Sequence, residues 1–99
     1  MIDFTKVIGF DWDSGNARKN EKHDVNMAEA EQVFFNEPLL VLGDLKHSQS
    51  EERFHALGCS DNDRQLHISF TLRDQHKRIR VISARDMHKK EREIYEKNK

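Results

Sequence analysis

The sequence predicts an α+β fold: two helices, then a small antiparallel β-sheet meander, then one C-terminal helix, with the helices packed on one face of the sheet. Three observations predict it. Apolar residues follow helical spacing before Pro38, the only proline. After Pro38 the period drops to two, in runs separated by polar turns and loops. A sparse helical pattern then closes the chain. Strands joined by short turns pair antiparallel, which makes the sheet a meander.

The elements follow in order. Phe10 to Asp13 reads as a short strand or its end, before a turn at Ser14 and Gly15. Asn16 to His23 reads as a short, exposed helix, because Ala17 is its only apolar residue and no broad stripe exists to bury. The next helix is better specified. Asn26 stands at an N-cap, Glu29 three residues on completes a capping box, and Val25 staples against Ala30. Met27, Ala30, Val33 and Phe34 form its buried face, and Pro38 marks its end.

Leu39 to Leu42 is a compact apolar strand stopped by Gly43 and Asp44. Arg53, His55 and Leu57 alternate with Phe54 and Ala56 before a turn from Gly58 to Asp63. Leu66, Ile68, Phe70 and Leu72 alternate with polar residues without a break, the clearest strand in the chain. Ile79, Val81 and Ser83 alternate with Arg80, Ile82 and Ala84; both sets are largely apolar, so this strand is expected to be central. Asp86 is expected to cap a last helix to about Lys97, held by Met87, Ile94 and Tyr95.

Ninety-nine residues suit one domain, 1–99, and equal shares of 35% hydrophobic and 35% charged residues suit a small soluble one. No run approaches a membrane span, and the N-terminus lacks a basic region followed by a long apolar one, so a cytoplasmic chain is expected. Cys59, the one cysteine, excludes an internal disulfide and a cysteine-rich zinc site. None of the six histidines falls at HxxxH spacing, so no metal and no cofactor is expected. Net charge is −1, but the charge is segregated. Glu29 to Asp63 holds eight acidic residues against two basic, whereas Arg73 to Arg92 holds eight basic against three acidic. A basic surface of that kind attracts phosphates.

Alternation places Arg53 and His55, His67 and Ser69, and Arg80 on the polar face of neighbouring strands, with Arg64 at the entrance to the middle strand and Glu51 and Glu52 beside it. Arginines, a histidine and a glutamate supply what phosphodiester cleavage needs: proton carriers and fixed cations for the charge that builds on phosphorus. Each also has a plainer reading as an ion pair or an ordinary cross-strand neighbour.

Phe10-Asp11-Trp12-Asp13, Asn16, Lys19, Asn20, Lys22-His23, Glu29-Ala30, Val33-Phe34, Glu52-Arg53, Leu57-Gly58, Arg64, Thr71, Arg73, the run Ile79 to Arg85, and Glu91-Arg92 with Tyr95 together resemble the BrnT toxin family. The chain departs from the family's usual pattern at Met27, where an aromatic is common, and at Asn36, where an aspartate is usual. The resemblance implies a type II toxin with a RelE/ParE-like fold, a ribonuclease that blocks translation. It also implies neutralisation by a BrnA-like antitoxin with a ribbon-helix-helix part, in a heterotetramer on its own promoter DNA. Its site residues would be Arg64 and Arg80 as phosphate and transition-state cations, with Arg53 beside them, and Glu52 or His23 as proton carriers. Lys19, Lys22, Ser83, Arg85 and Lys89 would hold the RNA. The rival readings are a catalytically silent protein-binding module and a gyrase-directed toxin of the ParE kind.

Overall fold

A computed structural model describes residues 2–12, 23–44, 46 and 51–99. Its strands are β1 (Gly9–Asp11), β2 (Leu40–Gly43), β3 (Arg53–Cys59), β4 (Gln65–Arg73) and β5 (Arg78–Asp86). They form one sheet in the order β1-β5-β4-β3-β2. β2 to β5 are the expected antiparallel meander, but β1 runs parallel to β5, so the sheet is mixed. The short-turn argument governs only strands joined by short turns, and most of the chain separates β1 from β5. β1 enters by matching Phe10 to Ile79 on the apolar side.

The helices also depart from expectation. Two α-helices lie among the described residues, α1 (Met27–Gln32) and α2 (Lys89–Lys97), with 3-10 turns at Phe4–Lys6 and Val33–Phe35. Only one α-helix thus precedes the meander there. The helix expected from Asn16 to His23 lies outside the described residues except for His23, which sits in a turn. α1 and α2 pack on opposite faces. α1 and its 3-10 extension bring Val25, Ala30 and Val33 onto Ala56, Ile68, Phe70, Val81 and Ala84. α2 instead lays Tyr95 with Met87 on Leu57 and Leu40, whose side chains point the other way along their strands. Three or four apolar residues suffice for that satellite, and the Tyr95 hydroxyl donates to the Pro38 carbonyl at 2.9 Å.

The caps show where local rules are overridden. Asn26 Oδ1 accepts from the Glu29 N–H at 2.7 Å, as expected. The Glu29 carboxylate, however, takes the Arg64 guanidinium at 2.9 Å rather than closing a box. His88, not Asp86, caps α2, where Glu91 Oε1 accepts from the His88 N–H at 2.8 Å. Asp86 ends β5 and binds Arg64.

On the α1 side, Phe70 meets Phe34 edge-on at 5.1 Å and stacks on Phe54 at 5.4 Å. Gly58 lets β3 approach the 3-10 turn closely: a Cβ there would stand 2.7 Å from Val33 Cγ1. β5 is interior to the sheet, as its two apolar faces predict. It also carries a bulge. Ser69 pairs with Ser83 and Phe70 with Val81, leaving Ile82 as an extra residue. Strict alternation grouped Ser83 with Ile79 and Val81; the bulge moves it to the face of Arg80.

Candidate active site

Opposite α1, strands β3, β4 and β5 present side chains in three rows set by register: Leu57, His67 and Arg85; His55, Ser69 and Ser83; Arg53, Thr71 and Arg80. The first two rows floor an open cleft of about 520 Å³, walled by Leu42 of β2 and by Glu91 and Ile94 of α2. Both aliphatic walls are exposed, Leu42 by 58% and Ile94 by 48%.

His55 is held from both sides. Its Nε2 lies 2.9 Å from Asp44 Oδ2 and its Nδ1 3.2 Å from Ser69 Oγ. The His67 ring stands 4.8 Å away, centroid to centroid. His67 is buried, its Nδ1 makes no hydrogen bond among the described residues, and its Nε2 is 3.8 Å from Glu91 Oε2. Burial, reinforced by the Arg85 charge, pushes its imidazole down to about 4, against the pull of Glu91, so it is neutral near pH 7. Arg85 forms a two-pronged pair with Glu91, at 2.8 and 3.0 Å, and donates to the Asp86 carbonyl at 3.0 Å. Burial pushes Glu91 up, but hydrogen bonds from Arg85 and the His88 N–H outweigh it and bring the carboxyl down to about 2.

The third row continues the same face. Thr71 is buried and donates to the Glu52 carbonyl at 2.6 Å, while Arg80 Nη1 lies 3.7 Å from Asp11 Oδ2 on β1. Arg73 beyond it pairs with Glu51 at 3.0 Å. The basic segment is thus not a bare cationic surface, because carboxylates from within it, such as Glu91, and from outside it, Asp11 and Glu51, stand against its arginines.

Of the sequence-derived site residues, Ser83 and Arg85 lie in the cleft with His55 and His67, and Lys89 is exposed at the start of α2 nearby. Arg53 and Arg80 share the third row, one on each side of Thr71. Glu52 is exposed just before β3. Lys19 and Lys22 lie outside the described residues. Arg64 is elsewhere, on the α1 side. Its Nε and Nη2 bind the two Asp86 oxygens at 2.7 and 3.1 Å, Nη1 binds Glu29 Oε1 at 2.9 Å and the Asp24 carbonyl at 2.7 Å, and Nη2 reaches the His23 carbonyl at 3.3 Å. All five guanidinium N–H groups are therefore engaged. The Asp86 bond raises the Arg64 pKa, and Arg64 in turn holds the Asp86 carboxyl below its ordinary value. His23 enters this latch through its carbonyl.

Nothing in the sequence setting of Asp44, Glu91, Leu42 and Ile94 marks them as site residues. Asp44 reads as a strand stop. It shares the parity of Leu40 and Leu42, which face His55 only once the β2-β3 register is known, and the loop between those strands leaves that register open. Among the described residues, no group of three or more His, Cys, Asp and Glu is placed to hold a metal ion, and no helix is long and apolar enough to cross a membrane.

No curated protein shows a significant match to this sequence. The family model described as "Ribonuclease toxin, BrnT, of type II toxin-antitoxin system" matches residues 12–91, from the residue after β1 into α2, and so spans every strand of the meander. With that span covering most of its length, the chain belongs to the BrnT family of ribonuclease toxins of type II toxin-antitoxin systems.

Proposed function

We propose that this chain is an endoribonuclease that lays a single RNA strand across the three rows of the polar face and cuts it over the middle one. One observation carries the reading: Arg85 at one end of the face and Arg53 and Arg80 at the other flank a row of hydrogen-bonding groups, His55, Ser69 and Ser83. Successive rows are two residues apart along β3 and β4, so the outer arginine rows stand roughly 13 Å apart, a span suited to a short stretch of RNA backbone. Guanidinium groups match phosphate geometry, and those at the ends position the strand while the middle row meets the reacting phosphate. Lys89 extends the phosphate contacts, and Lys19 and Lys22 are proposed as RNA-binding residues on the family resemblance alone. Glu91 and Asp11 hold Arg85 and Arg80 in place in the free protein, and RNA phosphates compete with them, which makes binding salt-sensitive.

Arg64 supports the site from behind. It ties the end of β5, next to Arg85, to the start of α1. Glu52 and His23 stand outside the cleft and serve the fold through their carbonyls.

Cleavage proceeds by attack of the RNA's own 2′-hydroxyl on the adjacent phosphate and requires no metal. In the cell the result is a block of translation. The antitoxin partner that the family implies is of the BrnA kind, with a ribbon-helix-helix part, and the pair assembles as a heterotetramer on its own promoter. The purified chain, freed of antitoxin, is expected to cut RNA in excess chelator and to leave DNA of the same sequence whole. Equal cutting of both, or a need for added magnesium, would overturn this route. Expressed alone, the chain is expected to arrest growth with loss of RNA. Normal growth with soluble, folded protein would make it a binding module, and DNA-damage signalling without RNA loss would make it a gyrase poison.

A further inference from the structure

Among the described residues of the cleft, His55 is the side chain whose two ring nitrogens both have partners suited to moving a proton. A carboxylate only accepts hydrogen bonds, so the 2.9 Å contact with Asp44 Oδ2 places the ring proton on Nε2. The lone pair is then on Nδ1, where the Ser69 hydroxyl, 3.2 Å away, now donates to it. Ser69 sits in the middle row between His55 and Ser83, so Nδ1 presents its lone pair where the reacting part of the RNA is expected to lie.

We propose that His55 is the catalytic base that takes the proton of the ribose 2′-hydroxyl, and that Asp44 is its positioning residue. The inference rests on the ribonuclease reading above. The ribose hydroxyl enters beside Ser69 and donates to Nδ1. Its proton passes to His55 as the 2′-oxygen bonds to phosphorus, and the bond from phosphorus to the 5′-oxygen breaks. Water in the open cleft protonates the leaving 5′-oxygen, and the resulting hydroxide takes the proton back from His55. The products are a 2′,3′-cyclic phosphate and a 5′-hydroxyl. Asp44 fixes the tautomer and favours the imidazolium that forms, the two contributions an acidic partner makes to a histidine base.

The alternatives inside the cleft are weaker. His67 is buried, and no described residue bonds its Nδ1. Arg85 is always charged and Glu91 is committed to it. The charged and titratable groups facing His55 are Asp44 from the end of β2, His67 from β4, Arg85 from β5 and Glu91 from α2.

The test uses the full chain, freed of antitoxin, on a short RNA with kcat and KM followed across pH. His55→Gln is expected to lower kcat by about 100-fold with KM changed less than about threefold. Asp44→Asn is expected to lower kcat at least about tenfold with KM changed less than about threefold. A residue needed only for packing would not split kcat from KM in this way. Added imidazole is expected to restore part of the rate of His55→Ala. Should His55→Gln fail to fold, Asp44→Asn, which keeps its side-chain volume, decides alone. Wild-type cleavage with both variants within about threefold of it would overturn the inference and leave the ribonuclease reading standing. A phosphoryl adduct on Ser69, seen by mass spectrometry, would also overturn it, by making His55 the activator of a serine nucleophile. No cleavage of any RNA by the wild-type chain would overturn the ribonuclease reading itself.

Discussion

The two faces of the sheet are built from the same three strands and have opposite characters. Toward α1, Phe54, Ala56, Ile68, Phe70, Val81 and Ala84 close on one another and on Val33. Toward α2, the residues between them are His55, Leu57, His67, Ser69, Ser83 and Arg85, and they line an open cleft. Arginines sharpen the contrast. Arg64, on the α1 side, spends every N–H on the protein itself, whereas Arg85 meets one carboxylate and one carbonyl at the edge of the cleft. An arginine carried by a family motif can therefore be a tie within the fold. What separates a tie from a ligand-binding group is how many of its donors are already engaged and whether open space lies in front of it.

The largest expected effect falls on the dry face. Phe70→Ala removes the ring on which Phe34 and Phe54 pack and is expected to cost about 3–5 kcal/mol in urea unfolding. A smaller cost would mean that the aromatic cluster collapses into the gap, and that the dry face is less tightly specified than the wet one.

The next effect belongs to the polar face and depends on pH. The folded chain holds His67 at about 4, below its ordinary 6.5, so the native state resists the proton that the unfolded chain accepts. Stability is at its plateau above about pH 6.5 and falls as pH drops toward about 4, by up to about 3 kcal/mol. Glu91, held at about 2, adds a further loss as pH falls from about 4.5 toward that value. Urea unfolding of His67→Gln between pH 7 and pH 4 is expected to lose most of the first slope; a slope equal to wild type would assign it to another group.

The smallest pair of effects tests the arginine comparison directly. Arg64→Ala leaves Glu29, Asp86 and two carbonyls without their donor and is expected to cost about 2 kcal/mol of stability. Arg85→Ala is expected to cost less than about 1 kcal/mol of stability while weakening RNA retention and cleavage. The reverse pattern, with Arg64→Ala stable but inactive, would exchange the roles of the two guanidinium groups.

Much of this contrast is legible in the sequence. The alternation of Leu66, Ile68, Phe70 and Leu72 with His67, Ser69 and Thr71 announces one apolar and one polar face, and it places His55 and His67 on the latter. Three things were not legible, each for a physical reason. β1 joins β5 through a pairing with no short turn to specify its direction. α2 is held by so few apolar residues that its pattern could not say which face it covers. Asp44 reaches His55 only through the register of an edge strand that a long loop leaves open. The residues matched to the family identify the chain, but Arg64, Glu52 and His23 among them stand apart from the cleft that Arg85 and Ser83 help to line.

The surplus residue at Ile82 has a consequence for how this protein can change over generations. Upstream of it, odd positions of β5 turn inward and even ones outward; downstream the parity is exchanged, so Ala84 packs and Arg85 reaches the cleft. Loss of that one codon would take out the residue that faces no partner and leave a regular ladder in which Val81 and Ala84 still turn inward and Ser83 and Arg85 outward. Core and cleft would both survive the event. At this point of the strand a change of one residue in chain length can be absorbed without exchanging the two faces.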